Sequence, residues 1–284
     1  MFLKFALFLI PALIIIFGAH FLLYFSIIRI FGPFSPNFKS ALAVIFIFLS
    51  LSFIIAIFLV YWRENLLTEI FYILAGFWLG LMANLLLASA AAWALIGVVK
   101  LTGHNGSRLY LGILFFTLAF LYSLYGVWNA LNPRVKSIEI GINNLPEAWQ
   151  GKTIIQLSDV HLGHVHGQKF LASIINKTNS LRPDLIFITG DLFDGMGDDL
   201  ASFIEPLNNL ESAKGIFFVT GNHENYLGVD KILPILKETK INVLDNQAVD
   251  IDGLQIIGLS YPGFGEVKNV KKIIESDKNF IKGA

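Results

Sequence analysis

The 284 residues hold 21 Lys/Arg and 21 Asp/Glu, but the net charge of zero hides a division: six basic and two acidic residues lie before Asn132, against 15 and 19 from there on. The two parts therefore carry +4 and −4, and the overall balance says nothing about partners. No basic patch with interleaved aromatics is present, which excludes DNA and RNA as default ligands, and the absence of cysteine is compatible with either redox environment.

Residues 1–131 contain four apolar segments, at about Phe2–Ile30, Ser40–Tyr61, Ile70–Val99 and Leu109–Leu131. Each exceeds the roughly 20 helical residues needed to cross a hydrocarbon core, so the pattern predicts a four-helix transmembrane bundle, multi-pass in the cell membrane. The first is too long and too uniformly apolar for a cleavable signal and is expected to remain. Pro11 and His20 lie within it and read as a kink and a bundle-facing polar group. In the third, Gly76, Gly80, Asn84, Ala88 and Ala92 recur every fourth residue, a stripe suited to close packing against the other helices or, as the sharper alternative, to a homodimer contact. Tyr61, Trp62, Tyr110 and Trp128 sit near span ends as interfacial anchors. Basic residues at the two sides balance, so the cytoplasmic placement of the remainder rests only on the missing export signal and on where nucleotide-linked lipid precursors are exposed.

Residues 132–151 form a connector. Arg134–Ile140 alternates charged and apolar residues and predicts a first edge strand, followed by a turn at Asn143–Pro146. Beyond it, three short apolar runs each end in a polar cluster. Ile154–Ser158 leads into Asp159-Val160-His161, Leu185–Thr189 into Gly190-Asp191-Leu192-Phe193-Asp194, and Ile216–Thr220 into Gly221-Asn222-His223-Glu224. The runs predict strands buried on both faces, with helices over Phe170–Leu181, Leu200–Leu210 and Val229–Thr239 between and after them. This alternation is that of an α/β sandwich. Leu244–Val249 and Leu254–Leu259, separated by Asp252-Gly253, predict a hairpin opening a second sheet.

The clusters sit at strand ends, where open α/β sheets build their sites. Asp159 and His161, two apart on extended chain, can reach one cation. The Asp191 carboxylate can bridge two cations about 3.5–4 Å apart, and Asn222 offers a carbonyl oxygen to the second. His223 is left to protonate a leaving oxygen, its ring oriented by Asp194 or Glu224. His164 and His166, on the Gly163–Gly167 loop, and Glu224 are candidate substrate contacts, although loop histidines are as often merely exposed. One such cluster alone would be explained by the turn-forming habit of Asp, Asn and Gly.

Taken together and in order, D-x-H, G-D-x-x-D and G-N-H-E resemble the calcineurin-like metallophosphoesterase superfamily, over roughly Lys152–Phe264. The resemblance implies a domain at 152–284 built as two β-sheets flanked by helices, with Asp159, His161, Asp191 and Asn222 as ligands of two divalent metal ions (manganese, iron or zinc) and His223 as the catalytic histidine. It implies hydrolysis of a phosphodiester or pyrophosphate. A multi-span anchor and short connector point to a lipid-linked or nucleotide-linked substrate at the bilayer surface, and the arrangement is similar to the bacterial membrane branch related to UDP-2,3-diacylglucosamine pyrophosphatases. The alternative is a non-catalytic sensor that keeps the fold for binding. Relatives in the family supply three further ligand histidines after G-N-H-E. Here the histidines are His20, His104, His161, His164, His166 and His223. The expectation is therefore a C-terminally truncated chain with an incomplete second sheet, at most one tightly held metal and little turnover.

Overall fold

A computed structural model describes residues 2–102, 108–194, 199–262, 270–277 and 280. The chain divides into two compact units, Met1–Pro133 and Arg134–Ala284.

The first unit is four helices, α1 (Phe2–Ile30), α2 (Pro36–Trp62), α3 (Leu66–Leu101) and α4 (Arg108–Ala130). Two begin about four residues before the apolar runs that announce them, because their caps lie upstream. Ser35 Oγ accepts the Phe38 N–H at 3.2 Å, with Pro36 in the first turn. Asn65 Oδ1 accepts from Leu67 and Thr68 while Thr68 Oγ1 accepts the Asn65 N–H, a reciprocal cap that starts α3. All four helices are long and apolar enough to cross a membrane.

The burial pattern of this unit inverts that of a water-soluble bundle. Large apolar side chains such as Ile15 and Phe58, each 70% exposed, face outward, whereas His20, Ser26, Ser50, Ser52, Ser89 and Ser123 are buried. The inward polar groups cross-link the helices. His20 Nδ1–H donates to Ile16 O at 2.8 Å and its Nε2 accepts the Trp78 indole N–H at 3.0 Å. Both ring nitrogens are thereby satisfied, in keeping with a bundle-facing structural group. Trp93 donates to Ser26 Oγ, and Asn84 donates to Ser123 Oγ, which passes the bond to Ala119 O. The small-residue stripe is split: Ala88 and Ala92 are buried, while a Cβ on Gly80 would meet nothing within 4 Å.

In the second unit the chain runs β1 (Ile154–Leu157), α5 (Gln168–Ser180), β2 (Leu185–Thr189), α6 (Ile204–Leu207, entered through a 3-10 turn), β3 (Ile216–Val219), α7 (Asn222–Leu227), α8 (Val229–Lys237), β4 (Ile241–Val243), β5 (Gln247–Ile251), β6 (Leu254–Gly258) and α9 (Val270–Ser276). β1 to β4 form a parallel sheet in sequence order, and β5 pairs with β6 in a separate antiparallel sheet of two strands. Alternate residues of the central strands serve different cores. Ile186, Ile188, Ile216 and Phe218 pack with Leu171, Ile174, Leu207, Ile232 and Leu236 of the helices. Leu185 and Phe217 pack on the opposite face with Trp149, Leu244 and Ile256. This two-sided burial is why the strands read as continuous apolar runs.

Two expectations are corrected. Residues 134–140 form no strand, and β1 is the edge of its sheet among the described residues. Val135, Ile138 and Ile140 are more than half exposed. Alternation supplies the right faces, but a strand also needs a neighbour for its ladder, and none is provided here. The hairpin turns at Asp252-Gly253 as predicted, with φ of 51° and 82° suiting a two-residue turn of mirror-image type. Its first strand nevertheless starts at Gln247 rather than Leu244. Asn246 at φ 54° breaks the run, and the Leu244 N–H bonds Phe218 O at 2.8 Å, so the preceding stretch joins the parallel sheet as β4.

Two contacts fix the start of the domain. The Thr153 N–H and the Lys152 ammonium hold the Asp184 carboxyl below its usual range and strap β1 to β2. Trp149 donates its indole N–H to Ile251 O at 2.9 Å beneath the Lys214 ammonium, tying the connector to the second sheet.

Candidate metal centre at the strand ends

The D-x-H and G-D-x-x-D segments continue beyond β1 and β2 as a zipped pair of loops. Asp159 N–H reaches Gly190 O at 3.3 Å, His161 N–H reaches Asp191 O at 3.0 Å, Leu162 N–H reaches Leu192 O at 2.8 Å, and Asp194 N–H returns to Leu162 O at 2.9 Å. This ladder, with Leu162 and Phe193 buried beneath it, places the side chains of Asp159, His161, Asp191 and Asp194 together.

The third loop is brought in by a close glycine contact. A Cβ on Gly190 would lie 2.7 Å from Gly221 Cα, and one on Gly221 would fall onto the Asp191 carboxylate. Only two residues without side chains let the β2 and β3 loops approach this far. Glu224 then locks them. It is fully buried, Oε2 accepts the N–H groups of Gly221 (2.7 Å) and Asp191 (2.9 Å), and Oε1 accepts that of Phe193 (3.1 Å). The expectation that Glu224 touches substrate or orients His223 is thus corrected, because its oxygens are occupied by backbone from two loops. The readable signal was its place three residues after Gly221 at the start of α7, a position from which a Glu reaches back to the chain entering a helix.

Asp159 (φ 55°), His161 (φ 51°) and Asp191 (φ 51°) all adopt left-handed backbone. Each such residue other than glycine costs about 1–2 kcal/mol, and three of the candidate ligands share the strain, the pattern of a site held by its surroundings. One ligand atom from each of these three residues lies within 4.8 Å of the others, with His161 Nε2 to Asp159 Oδ1 at 3.9 Å. Ligands about 2.0–2.2 Å from a common cation can be at most about 4.4 Å apart, so small side-chain adjustments suffice. Two carboxylates and an imidazole are donors that manganese, iron and zinc all accept. The residues therefore fit a divalent metal.

His223 stands beside this group, its ring 4.4 Å from that of His161 and nearly perpendicular to it. Its Nδ1 lies 2.7 Å from the Asp194 carbonyl oxygen. A carbonyl can only accept, so Nδ1 carries the proton and Nε2 is left for chemistry. Asp194 does orient the histidine, but through its backbone, while its carboxylate stays 3.9 Å from His223 and 3.8 Å from His161. His161, Asp194 and His223 also form a geometrically possible ligand trio. In that trio the His223 nitrogen facing the Asp194 carboxylate is Nδ1, which carries the proton given to the Asp194 carbonyl and so cannot ligate, whereas Asp159, His161 and Asp191 keep their donor atoms.

Asn222 opens α7 and lines, with Asp191, a cavity of about 620 Å³ whose other walls include Val219, Leu259, Tyr261, Pro262, Val270 and Ile273. His166 Nδ1–H donates to Val160 O at 2.9 Å and its ring stacks on Phe170. His164 is half-buried on the same loop and is not one of the groups converging with Asp159, His161 and Asp191. His104 lies outside the described residues.

Comparison with known proteins agrees with this geometry. The calcineurin-like phosphoesterase family model matches residues 152–278. The chain is 33% identical to an uncharacterized metallophosphoesterase of Campylobacter jejuni, over 75% of this chain and 59% of that protein. It is 34% identical to a transmembrane protein with metallophosphoesterase domain of Danio rerio, over 50% of this chain and 37% of that protein. A UDP-2,3-diacylglucosamine pyrophosphatase of Chlamydia trachomatis is 32% identical over 34% of this chain and 31% of its own length. The chain thus spans less than two thirds of the length of these relatives. No solved structure matches it.

Proposed function

We propose, from the premise that residues 152–278 are a calcineurin-like phosphoesterase domain, that this membrane protein hydrolyses a phosphodiester or pyrophosphate of a lipid-linked or nucleotide-linked substrate at the bilayer surface. The observation that carries the reading is the convergence of Asp159, His161 and Asp191 at the carboxyl ends of β1 and β2, with His223 oriented beside them. Asp159, His161 and Asp191 would hold divalent metal, with Asn222 as a further donor, and metal held there would polarise the phosphoryl group as a Lewis acid and make an attacking water more acidic.

The protein's own groups do the rest. Asp159 and Asp191 provide the negative charge that collects cations. Glu224 holds the loops carrying Asp191 and Asn222 in register. His223, its Nδ1–H anchored on the Asp194 carbonyl, presents Nε2, which in the imidazolium form carries the second ring proton and gives it to the departing oxygen, leaving the neutral Nδ1–H ring. The largely apolar cavity beside Asp191 and Asn222 supports an apolar substituent on the phosphate, in keeping with four spans in the same chain and with what the Chlamydia relative's name says it acts on.

The test is turnover by the detergent-purified full chain, with manganese and with chelator, of an aryl phosphodiester, UDP-2,3-diacylglucosamine and a nucleotide. Metal-dependent hydrolysis of any of them supports the proposal, and none would favour a non-catalytic binding module. Within an active protein, His223→Asn should keep its metal content and lose about 10²–10⁴-fold in turnover. Loss of metal in that variant would make His223 a ligand instead.

A further inference from the structure

Tyr226 lies on α7 three residues after His223, a spacing that puts both on one side of the helix. Its ring centroid is 5.6 Å from that of His223, at an interplanar angle of 61°, and the residue is 65% exposed. The His223 ring in turn contacts that of His161 at 4.4 Å. The three rings thus run outward from the metal donors: His161, then His223, then Tyr226. A buried aromatic would be explained by packing, whereas this one keeps most of its surface free beside the histidine that meets the leaving group. No other described residue extends the series.

We propose that Tyr226 is a specificity-determining residue whose exposed ring forms the outer wall of the leaving-group site and selects phosphoesters with a planar leaving group, an aryl ring or a nucleobase. The inference rests on the phosphoesterase reading. Its direction follows from the order of the rings, since a group departing past His223 and away from the metal donors meets the Tyr226 face. Offset stacking on a partly exposed ring gives a several-fold preference rather than an absolute one, and it depends on the ring and not on the phenol oxygen.

The experiment uses the detergent-purified full chain with manganese and measures binding by titration calorimetry, so that turnover is not required. The probes are phenylphosphonate against methylphosphonate, and uridine 5′-monophosphate against ribose 5-phosphate as the nucleobase arm. Wild type should bind the planar member of at least one pair about five- to tenfold more tightly, and which pair responds separates aryl from nucleobase. Tyr226→Phe should keep the preference. Tyr226→Ala should abolish it while leaving the affinity for methylphosphonate and ribose 5-phosphate within about twofold. Equal affinity within both pairs in wild type, or equal weakening of both members in Tyr226→Ala, would overturn the proposal and leave the phosphoesterase reading standing. Selective binding that vanishes in Tyr226→Ala, in a chain that turns over no ester, would uphold the wall and strike the hydrolase reading. Failure of every probe to bind would overturn both.

Discussion

Asp191→Asn should lower turnover by about 10²-fold or more and weaken metal retention while leaving the fold intact. The substitution preserves shape and keeps an oxygen at Oδ1, which accepts the His223 N–H at 2.9 Å, so α7 stays docked. What it removes is the charge. A neutral amide would hold a divalent cation less firmly than a carboxylate, and hydrolysis that depends on the cation should slow accordingly. Steady-state kinetics on the full chain with excess manganese, alongside a thermal melt, checks both halves. Wild-type turnover in the variant would remove Asp191 from the site, and a collapsed melt would mean that its main role is structural.

Glu224 carries the opposite expectation, a loss that starts in stability. Glu224→Ala leaves the N–H groups of Gly221, Asp191 and Phe193 without the fully buried carboxylate that accepts them. Unsatisfied buried donors cost about 1–3 kcal/mol each, and relaxation recovers some of that, so a net loss of about 3 kcal/mol or more is expected. For a domain of this size that lowers the melting temperature by roughly 6–12 °C. Glu224→Gln should fall between, because one amide oxygen can still serve Gly221 and Asp191 while its NH₂ confronts the Phe193 N–H. The order Glu, Gln, Ala in thermal melts of the detergent-purified chain is the check. Equal melting of all three would show that the loops are held by the zipped backbone alone.

Much of this was legible in the sequence for definable reasons. β2 and β3 were plain because burial on both faces leaves no polar position, and the β5–β6 turn because Asp-Gly suits two consecutive positive φ values. The four long helices were legible because each is an apolar run longer than the roughly 20 residues a membrane crossing needs. Asp159, His161, Asp191, Asn222 and His223 stood out as short polar clusters ending apolar runs, and the geometry places them at neighbouring strand ends. What escaped depends on contacts between distant segments. Residues 134–140 alternate like a strand, yet pairing is decided by a neighbour the local pattern does not encode. β4, three residues long, was hidden in a run that also feeds the hairpin. The acceptor for His223 is the Asp194 main chain, so side-chain chemistry could not announce it. Glu224 looks like an exposed acid in the sequence and becomes a buried keystone only when the β2 and β3 loops close over it.

Whether these strand-end loops form a metal centre is decided by elemental analysis of the full chain purified in detergent and dialysed without chelator. The donor set of Asp159, His161 and Asp191 predicts about one tightly held manganese, iron or zinc ion per chain, lost in an Asp159→Ala, His161→Ala double variant that still melts cooperatively. A wild-type chain that retains no divalent metal, or a double variant that retains as much as wild type, would contradict the account.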